Sequence, residues 1–326
     1  VPYEGTYRND DNIVRQTGAL YVLGEIARHD TQDVYGVSKT ITNAIKYFES
    51  QTIFDEFEEK SFSCVANSPV SSKCQLGATS LALIGILNYL QSAPKEKSTY
   101  SDLVTGYSSF ILAMQKENGG FRNVYVVGKK NQVDTESAFS NGEALLALAR
   151  YYQYDADEDV KQAIDLAYSY LSRQPYDANL YLWIMASLKD IHALWPSTTY
   201  TTYTKAFTDW RVERAQRFKN SNRNYCAYAE GLASAIAILD DGQATVNRTE
   251  LNRLNQKHLA LQITSRDTIR LLPKDGAVSF YTLADPAQAL GGFLTEDSEP
   301  TQRIDFTQHC LSSYIQTLVD IDGKEL

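Results

Sequence analysis

Carboxylates and a histidine stand at the polar starts of otherwise apolar helical stretches, where they could carry acid–base chemistry. Glu143 is followed by apolar residues 144–149, and Glu230 by the small and apolar residues 231–236. A carboxyl group at the edge of an apolar core loses hydration, so its pKa rises and it can stay protonated as a general acid near neutral pH. Glu143 and Glu230 are therefore predicted to be catalytic. The structural alternatives are an interaction with the helix dipole for Glu143 and a buried ion pair, for example with Arg15, for Glu230.

Asp305 and His309 form a second candidate pair. They are four residues apart, so on a helix their side chains face the same way. An aspartate can hold a histidine in one tautomer for proton transfer, and we predict catalytic roles for both. The alternative is a structural histidine at a helix start. His29, His192 and His258 have no comparable neighbours and are predicted to be structural or exposed.

Residues that could bind a substrate open the same helical stretches. Glu136 shares a helix stripe with Ser140 and Glu143, although an interaction with the helix dipole is the alternative for Glu136. Aromatic rings beside carboxylates suit a sugar site, because a ring offers the sugar a flat face. The predicted substrate-binding residues are Arg15, Gln16, Glu136, Asp177, Asn179, Tyr181, Tyr225 and Tyr228, with Trp183 beside them.

A recurring pattern predicts the elements that bring these side chains together. A polar cluster that opens a long apolar stretch occurs six times, at residues 15–18, 77–79, 136–143, 176–179, 225–230 and 305–309. Stretches with far more charge lie between the copies. Because apolar helices pack inside and charged ones outside, the pattern predicts six helical hairpins in a single domain over residues 1–326. In such an all-α (α/α)6 barrel, the polar openings meet at one end, together with long loops.

The periodicity also indicates the helix bounds. Inner helices are predicted at 14–28, 78–90, 136–152, 178–194, 227–239 and 307–319, and outer helices at 35–50, 100–115, 158–173, 201–218 and 250–263. Two Gly-Gly-Phe turns, at 119–121 and 291–293, each precede an inner helix; glycine permits a sharp reversal and the phenylalanine anchors it. Long loops are predicted at 5–12, 61–74, 124–134 and 271–301, with short strands at 124–127 and 277–281.

In architecture the whole chain resembles the α/α toroid proteins. These include the six-hairpin glycosidases, the polysaccharide lyases, and the terpenoid cyclase and prenyltransferase group. Gln115 with Gly119-Gly120-Phe121 is similar to the Q-x-x-x-G-G-F/W turns of that last group. The resemblance implies the toroid fold but no single activity, because this fold carries several unrelated chemistries.

The resemblance also raises the question of a zinc site, because toroid prenyltransferases and lanthionine-type cyclases use sets of Asp, Cys and His at helix starts. The residues concerned here are Cys226, Asp305, His309 and Cys310. The paired Asp-x-Cys of the first group and the Cys-His pair of the second are missing, since the order here is His309-Cys310. Adjacent helical residues point about 100° apart and would not easily bind one ion. We therefore predict no metal and no cofactor.

Composition restricts the partners. The 326 residues carry a net charge of −9 and contain no run of Lys and Arg, which argues against nucleic acid as a partner. No stretch reaches the roughly 18 consecutive apolar residues of a membrane span. The expected partner is an oligosaccharide or polysaccharide substrate, and the sequence specifies no oligomeric state.

The cysteines and tyrosines favour export. Cys64 and Cys74 flank a short polar loop, as a disulfide would, with two free thiols as the alternative. Tyr is abundant, at 22 residues against 31 Lys and Arg together, and residues 247–249 fit the glycosylation pattern. The chain begins at Val1 rather than Met, as expected of a processed start. We predict a secreted or periplasmic protein.

The first of three candidate functions is a glycoside hydrolase. Glu143, Glu230 or Asp177 would serve as acid and base around the sugar. An inverting mechanism needs carboxyl groups roughly 6.5–9.5 Å apart, which opposite inner helices could provide. Abundant tyrosines and the acids at helix starts favour this function over the other two.

The second candidate is a polysaccharide lyase, in which Tyr228 or His309 abstracts a proton while Arg15 and Gln16 neutralise a uronate carboxylate. The third is a carbohydrate-binding protein without activity. It ranks lower because a binding protein would not need buried carboxylates. A prenyltransferase or cyclase ranks last, because the sequence lacks an aspartate-rich motif.

Overall fold

The computed structural model describes residues 1–7, 12–57, 59–129, 132–217, 225–239, 241–264, 268–271, 279–296 and 299–326. In chain order the α-helices are α1 (Ile13–His29), α2 (Ser38–Ser50), α3 (Leu76–Ser92), α4 (Lys97–Met114), α5 (Ala138–Tyr154), α6 (Glu158–Leu171), α7 (Ala178–Leu194), α8 (Thr198–Arg217), α9 (Tyr225–Ile236), α10 (Asp241–Leu259), α11 (Pro286–Ala289) and α12 (Ile304–Gln316). The β-strands are β1 (Thr52–Phe57), β2 (Lys60–Val65), β3 (Lys73–Gln75), β4 (Val124–Val126), β5 (Thr268–Leu271), β6 (Ser279–Thr282), β7 (Leu294–Glu296) and β8 (Glu299–Gln302).

Within the described residues, α1, α3, α5, α7, α9 and α12 form a closed inner ring. Each contacts the next in this order, and α12 returns to contact α1. Around the ring, α2, α4, α6, α8 and α10 each pack against the inner helix that precedes them. This all-α (α/α)6 arrangement confirms the predicted inner and outer layers. The described part of the chain holds five outer helices, so α12 has no outer partner following it there.

The two layers differ in burial because their sequences differ in polarity. In α3 every residue from Leu76 to Leu90 is buried, as expected of a helix surrounded by other helices. In α2 only one stripe is buried, formed by Ile41, Ile45 and Phe48 at helical spacing. The apolar core therefore lies inside the inner ring and between the two layers.

The inner helices run parallel, and a buried polar layer at their C-terminal ends shows it. Glu25, Asn88, Arg150 and Asp190 each lie four residues before the end of their helix. The Arg150 guanidinium pairs with Glu25, at 3.2 Å between Nη1 and Oε1, and also binds Asp190. Asn88 donates from Nδ2 to the Glu25 carboxylate at 2.7 Å. This layer ties α1, α3, α5 and α7 together at the end opposite the polar openings.

Short antiparallel strand pairs lie in the segments between the helices. The strands pair as β1–β2, β3–β4, β5–β6 and β7–β8 within the described residues. The loop prediction for residues 61–74 is wrong, since β2, a bridge between Ala66 and Cys74, and β3 order this segment. The predicted Cys64–Cys74 disulfide is present, with Cα atoms 5.9 Å apart.

The strand predicted near residue 124 is confirmed as β4. The strand predicted at 277–281 corresponds to β6, which begins at Ser279, whereas residues 277–278 lie outside the described residues. Parts of the loops predicted at 5–12, 124–134 and 271–301, and residue 218 of the predicted fourth outer helix, also lie outside them.

The Gly-Gly-Phe turns behave as predicted. Gly119 has φ +98° and Gly291 has φ +85°, values that an L side chain rarely adopts. Phe121 is fully buried, and its amide donates to the Asn141 side chain at 2.8 Å. Phe293 is also buried. The phenylalanines therefore fix both turns to the barrel.

The structure bears on the predicted glycosylation acceptor and on the predicted lack of a membrane span. Asn247, the predicted glycosylation acceptor, is 7% exposed within α10, so its side chain is not accessible for modification in the folded protein. None of the described helices combines the length and the apolar character that crossing a membrane requires.

Candidate functional site

The inner helices bring Glu143, Glu230 and His309 together in the barrel, as the repeat pattern predicted. Glu230 on α9 contacts His309 on α12, and His309 lies near enough to Glu143 on α5 to affect its pKa. In the order of the ring, α5 and α12 stand opposite each other. The site therefore spans the inside of the barrel.

Glu230 is the centre of the hydrogen-bond network. It is fully buried, and its Oε1 accepts from the hydroxyls of Tyr21 at 2.9 Å and Ser312 at 2.6 Å. Its Oε2 lies 2.7 Å from Nδ1 of His309. Because the carboxylate accepts from all these groups, it holds the proton of His309 on Nδ1 and leaves Nε2 as the basic nitrogen.

This geometry corrects the predicted partner of His309. Asp305 does not orient the imidazole. It pairs instead with Arg303, whose Nε lies 3.0 Å from Oδ1, and with Arg15, at 3.8 Å between Nε and Oδ2. Asp305 lies in the first turn of α12, where its side chain reaches these cations at the helix start. The structural alternative for Glu230, an ion pair with Arg15, does not match its hydrogen-bond partners, which are Tyr21, Ser312 and His309.

Glu143 faces the network from the other side of the barrel. It is 4% exposed, and its Oε2 is buried without a hydrogen-bond partner in the described part of the chain. Gly77 on α3 leaves room for this carboxyl group, because a Cβ at that position would collide with Oε2. Burial raises the pKa of Glu143 to about 7, and the nearby His309 opposes this only in part. A protonated carboxyl group is therefore available near neutral pH.

Two aromatic rings form the wall between these groups. Trp183 on α7 lies edge to face with His309, with ring centroids 5.8 Å apart. Tyr21 meets Trp183 in the same manner, at 5.7 Å. Gly142 allows the Trp183 side chain to approach α5 closely. The sequence predicted Trp183 as a lining residue, but it identified neither Tyr21 nor Ser312 as part of the site.

A cavity of about 510 Å³ opens at the N-terminal end of the ring. Its walls include Arg15 and Gln16 from α1 and Arg303 and Ile304 at the start of α12, together with residues 1–7 and 285–289 in part. His309 lies little more than one helical turn beyond Ile304 along α12. The structure thus places the predicted binding residues Arg15 and Gln16 in the wall of this cavity, whereas Glu143, Glu230 and His309 are buried and do not line it.

Gln308 was not predicted from the sequence, although it precedes His309. Its amide group packs directly on Gly18 of α1, where any side chain at position 18 would collide with it. The Oε1 atom of Gln308 is buried and has no partner within the described residues. Gln308 is therefore a buried polar residue next to the network that the sequence did not identify.

Glu136 takes a different place from the one predicted. Helix α5 begins at Ala138, so Glu136 precedes the helix and does not share a stripe with Glu143. Its carboxylate pairs with Lys116 and accepts from Asn141 at 2.9 Å and from Tyr170 at 3.1 Å. These partners lie around the first Gly-Gly-Phe turn. Glu136 therefore stabilises that turn and does not face the inside of the barrel.

The three predicted tyrosines point toward the outer layer. Tyr181 bonds to Thr208 of α8 at 3.1 Å. Tyr228 stacks under the Arg211 guanidinium, 4.1 Å from its ring centroid, and Tyr225 meets Lys257 of α10 at 3.6 Å. Their predicted position inside the barrel is wrong, because helix rotation turns these faces toward α8 and α10.

Asp177 and Asn179 lie at the exposed start of α7. The Asp177 carboxylate accepts from the Asn179 backbone N–H at 2.8 Å and caps the helix. Both residues are exposed. Asp177 therefore has a structural task and stands outside the buried network.

Two of the cysteines that were considered as zinc ligands, Cys226 and Cys310, lie side by side in the structure. Cys226 of α9 and Cys310 of α12 form a disulfide, which the sequence did not predict. His258 lies beside it, within 4.8 Å of the sulfur atoms, and both ring nitrogens are buried without a partner in the described residues. Disulfide sulfurs are not thiolates, so this set has no strong metal ligand besides the imidazole while the bond is intact.

The raised pKa of Glu143 predicts a pH-dependent stability. Between about 4.5, the ordinary pKa, and about 7, the folded protein retains a proton that the unfolded chain releases. The stabilisation is thus fully present below this range and is lost as the pH rises to 7. Relative to Glu143→Gln, we expect the free energy of unfolding of the wild type to fall by about 3 kcal/mol over this range. Denaturant titrations at several pH values measure it, and parallel curves for the two proteins would contradict it.

The comparisons with known proteins concern the fold. The sequence matches no protein-family profile and has no significant match among curated proteins. A GH76 α-mannanase of Bacteroides thetaiotaomicron superposes with a TM-score of 0.61 at 10% identity, covering 92% of this chain and 84% of that chain. A D-mannose isomerase gives 0.61 at 12%, covering 97% and 90%. A cellobiose 2-epimerase of Spirochaeta thermophila gives 0.58 at 10%, covering 94% and 86%. Together with the closed inner ring, these similarities establish that the chain has the α/α toroid fold.

Proposed function

We propose that this protein is a carbohydrate-active enzyme, and specifically a glycoside hydrolase. The observation that carries the proposal is Glu143, a buried carboxyl group with a pKa near 7 that faces His309 across the barrel. Protonation of a glycosidic oxygen needs such an acid, still protonated at neutral pH. The sugar-processing enzymes that share the fold support the substrate class.

The proposed roles follow from the contacts. Glu143 donates its proton to the leaving oxygen, and Nε2 of His309 takes a proton from the attacking water. Glu230 stabilises the resulting imidazolium, since its carboxylate lies on Nδ1. In this assignment Glu230 acts through His309 rather than as the base itself, because its oxygens are already occupied by Tyr21 and Ser312. Acid and base on opposite helices suit an inverting reaction.

The second candidate is a sugar isomerase or epimerase. An imidazole base held by a buried carboxylate can also remove a proton from a carbon next to a carbonyl group, while Glu143 protonates the carbonyl oxygen. The D-mannose isomerase and the cellobiose epimerase among the similar structures favour this alternative. Isomerisation or epimerisation would use the same groups as hydrolysis, namely Glu143, Glu230 and His309.

The geometry gives less support to the other functions. A lyase would lose Tyr228 as a base, since Tyr228 packs against Arg211 outside the lumen. Arg15, the predicted neutraliser of a uronate, already binds Asp305. A binding protein would have no use for a protonated Glu143 opposite an oriented imidazole. Export is proposed on the two disulfides, Cys64–Cys74 and Cys226–Cys310, which persist in oxidising compartments.

One set of reactions separates the candidates. The protein is incubated in D2O with manno- and gluco-oligosaccharides and with the free sugars, and His309→Ala serves as the inactive control. We expect new reducing ends and no deuterium on carbon. Deuterium at C1 or C2 of a free sugar would indicate the isomerase or epimerase instead, and ultraviolet absorbance of a new double bond would indicate a lyase. Binding without any turnover would contradict the proposal.

A further inference from the structure

The disulfide between Cys226 and Cys310 links the two helices that carry the Glu230–His309 pair. Cys226 is the second residue of α9 and lies one helical turn before Glu230. Cys310 directly follows His309 on α12. The bond brings the two Cα atoms to 4.6 Å across a separation of 84 residues. It is therefore the covalent connection closest to the proposed acid–base groups.

The pair depends on the register of these helices. Glu230 contacts α12 through both carboxylate oxygens, with His309 at 2.7 Å and Ser312 at 2.6 Å. Both partners lie within two residues of Cys310. Hydrogen bonds of this length weaken steeply with small displacements, so a slide or rotation of α9 against α12 would break them together.

The surroundings of the disulfide are built to hold it in place. Cys226 is 3% exposed and Cys310 is 1% exposed, and they share a small apolar cluster with Phe293. Phe293 belongs to the second Gly-Gly-Phe turn and stacks on Tyr314 of α12 at 6.2 Å. His258 covers the sulfur atoms, and burial lowers its pKa to about 3, so it stays neutral.

We propose that Cys226 and Cys310 are positioning residues, whose disulfide fixes α9 against α12 so that Glu230 holds Nδ1 of His309. The expected effect on turnover rests on the proposed function, whereas the expected effect on the hydrogen bond of His309 does not. The Cys64–Cys74 disulfide offers a matched control, since it joins β2 to β3, and the main contacts of these strands are with α3, α4, β1 and β4. The two bonds therefore separate a local effect on the histidine from a general loss of cross-links.

The test compares Cys226→Ala/Cys310→Ala with Cys64→Ala/Cys74→Ala by NMR of histidine labelled with ¹⁵N. His309→Gln identifies the Nδ1–H resonance among the four histidines. We expect this resonance to vanish or shift upfield in the 226/310 variant and to stay unchanged in the 64/74 variant. Turnover is expected to fall about ten- to a hundredfold at nearly unchanged KM, the scale of a misplaced catalytic group.

If the 226/310 variant does not fold, the Cys64→Ala/Cys74→Ala variant, which keeps only the 226/310 bond, is reduced with dithiothreitol until thiol titration counts two free cysteines. The reagent supplies two electrons and two protons, and becomes a cyclic disulfide while both cysteines become thiols. Loss of the His309 resonance with retained circular dichroism, reversed on reoxidation, supports the proposal. An unchanged resonance without the disulfide, or complete unfolding on reduction, would overturn it. Because the resonance needs no substrate, a failed hydrolase assay leaves this result independent.

Discussion

Replacing Glu143 by Gln is expected to reduce turnover at least about a hundredfold, the usual scale for loss of an acid–base group, without loss of the fold. Gln has the same shape, so the space over Gly77 remains filled. What disappears is the proton that Glu143 carries up to a pKa of about 7. The wild-type rate should therefore decline as the pH rises through 7, whereas the residual rate of the variant should lack this decline.

The matched control is Glu158→Gln, the same substitution at an exposed position in the first turn of α6. It should leave both the rate and the pH profile unchanged. Initial rates over pH 5 to 9, on the substrate found by the D2O experiment, measure the effect. Near-normal turnover of the Glu143 variant with an intact alkaline decline would remove Glu143 from the mechanism.

Replacing Arg150 by Met is expected to cost about 3–5 kcal/mol of stability, the range for breaking a buried ion pair from one side. Arg150 is 4% exposed and binds Glu25 and Asp190 in the layer that joins four inner helices. Without the guanidinium, Asp190 stays buried without this ion pair, and Glu25 keeps the longer pair with Arg28, at 3.7 Å between Oε1 and Nη1. Burial raises the pKa of Glu25, but Arg150, Arg28, Lys189 and His29 together outweigh it and lower the pKa to about 2. Removal of Arg150 should therefore raise the pKa of Glu25.

The control is Lys161→Met, which removes an exposed pair with Asp165 one turn away on α6. Solvent screens such an exposed pair, so the unfolding curve of this variant should stay close to that of the wild type. Denaturant titrations of the wild type at acidic pH give a second measurement of the layer. The contribution of Glu25 is present above about 4.5, its ordinary pKa, and is lost as the pH falls to about 2. A stability loss below 1 kcal/mol in the Arg150 variant would show that the layer is not needed.

Local pattern was sufficient for much of the architecture. Helix α7 was predicted at 178–194 and runs from Ala178 to Leu194, because its apolar body and the capping Asp177 both act within a few residues. The Cys64–Cys74 disulfide was predictable for the same reason, since its loop is short. The strands that carry these cysteines, β2 and β3, were not predicted, because they pair with β1 and β4 rather than with each other.

The site was harder to predict than the helices that carry it. The sequence pattern predicts a helix that begins at residue 136 and therefore places Glu136 on the stripe of Glu143, whereas α5 begins two residues later, at Ala138. Tyr225 and Tyr228 were placed inside because they open an inner helix, yet both meet cations of the outer layer. A buried helix offers apolar residues on every side, so its sequence does not show which side faces the lumen.

The sequence by itself determined that apolar helices alternate with charged ones and that acids, amides and aromatic rings lie near the starts of the apolar ones. These properties depend on neighbours three or four residues away. Only the tertiary structure decided that His309 pairs with Glu230, 79 residues distant, rather than with Asp305 in its own helix. The physical reason is that a hydrogen bond depends on the rotation and register of helices remote in sequence, which packing of the whole ring sets.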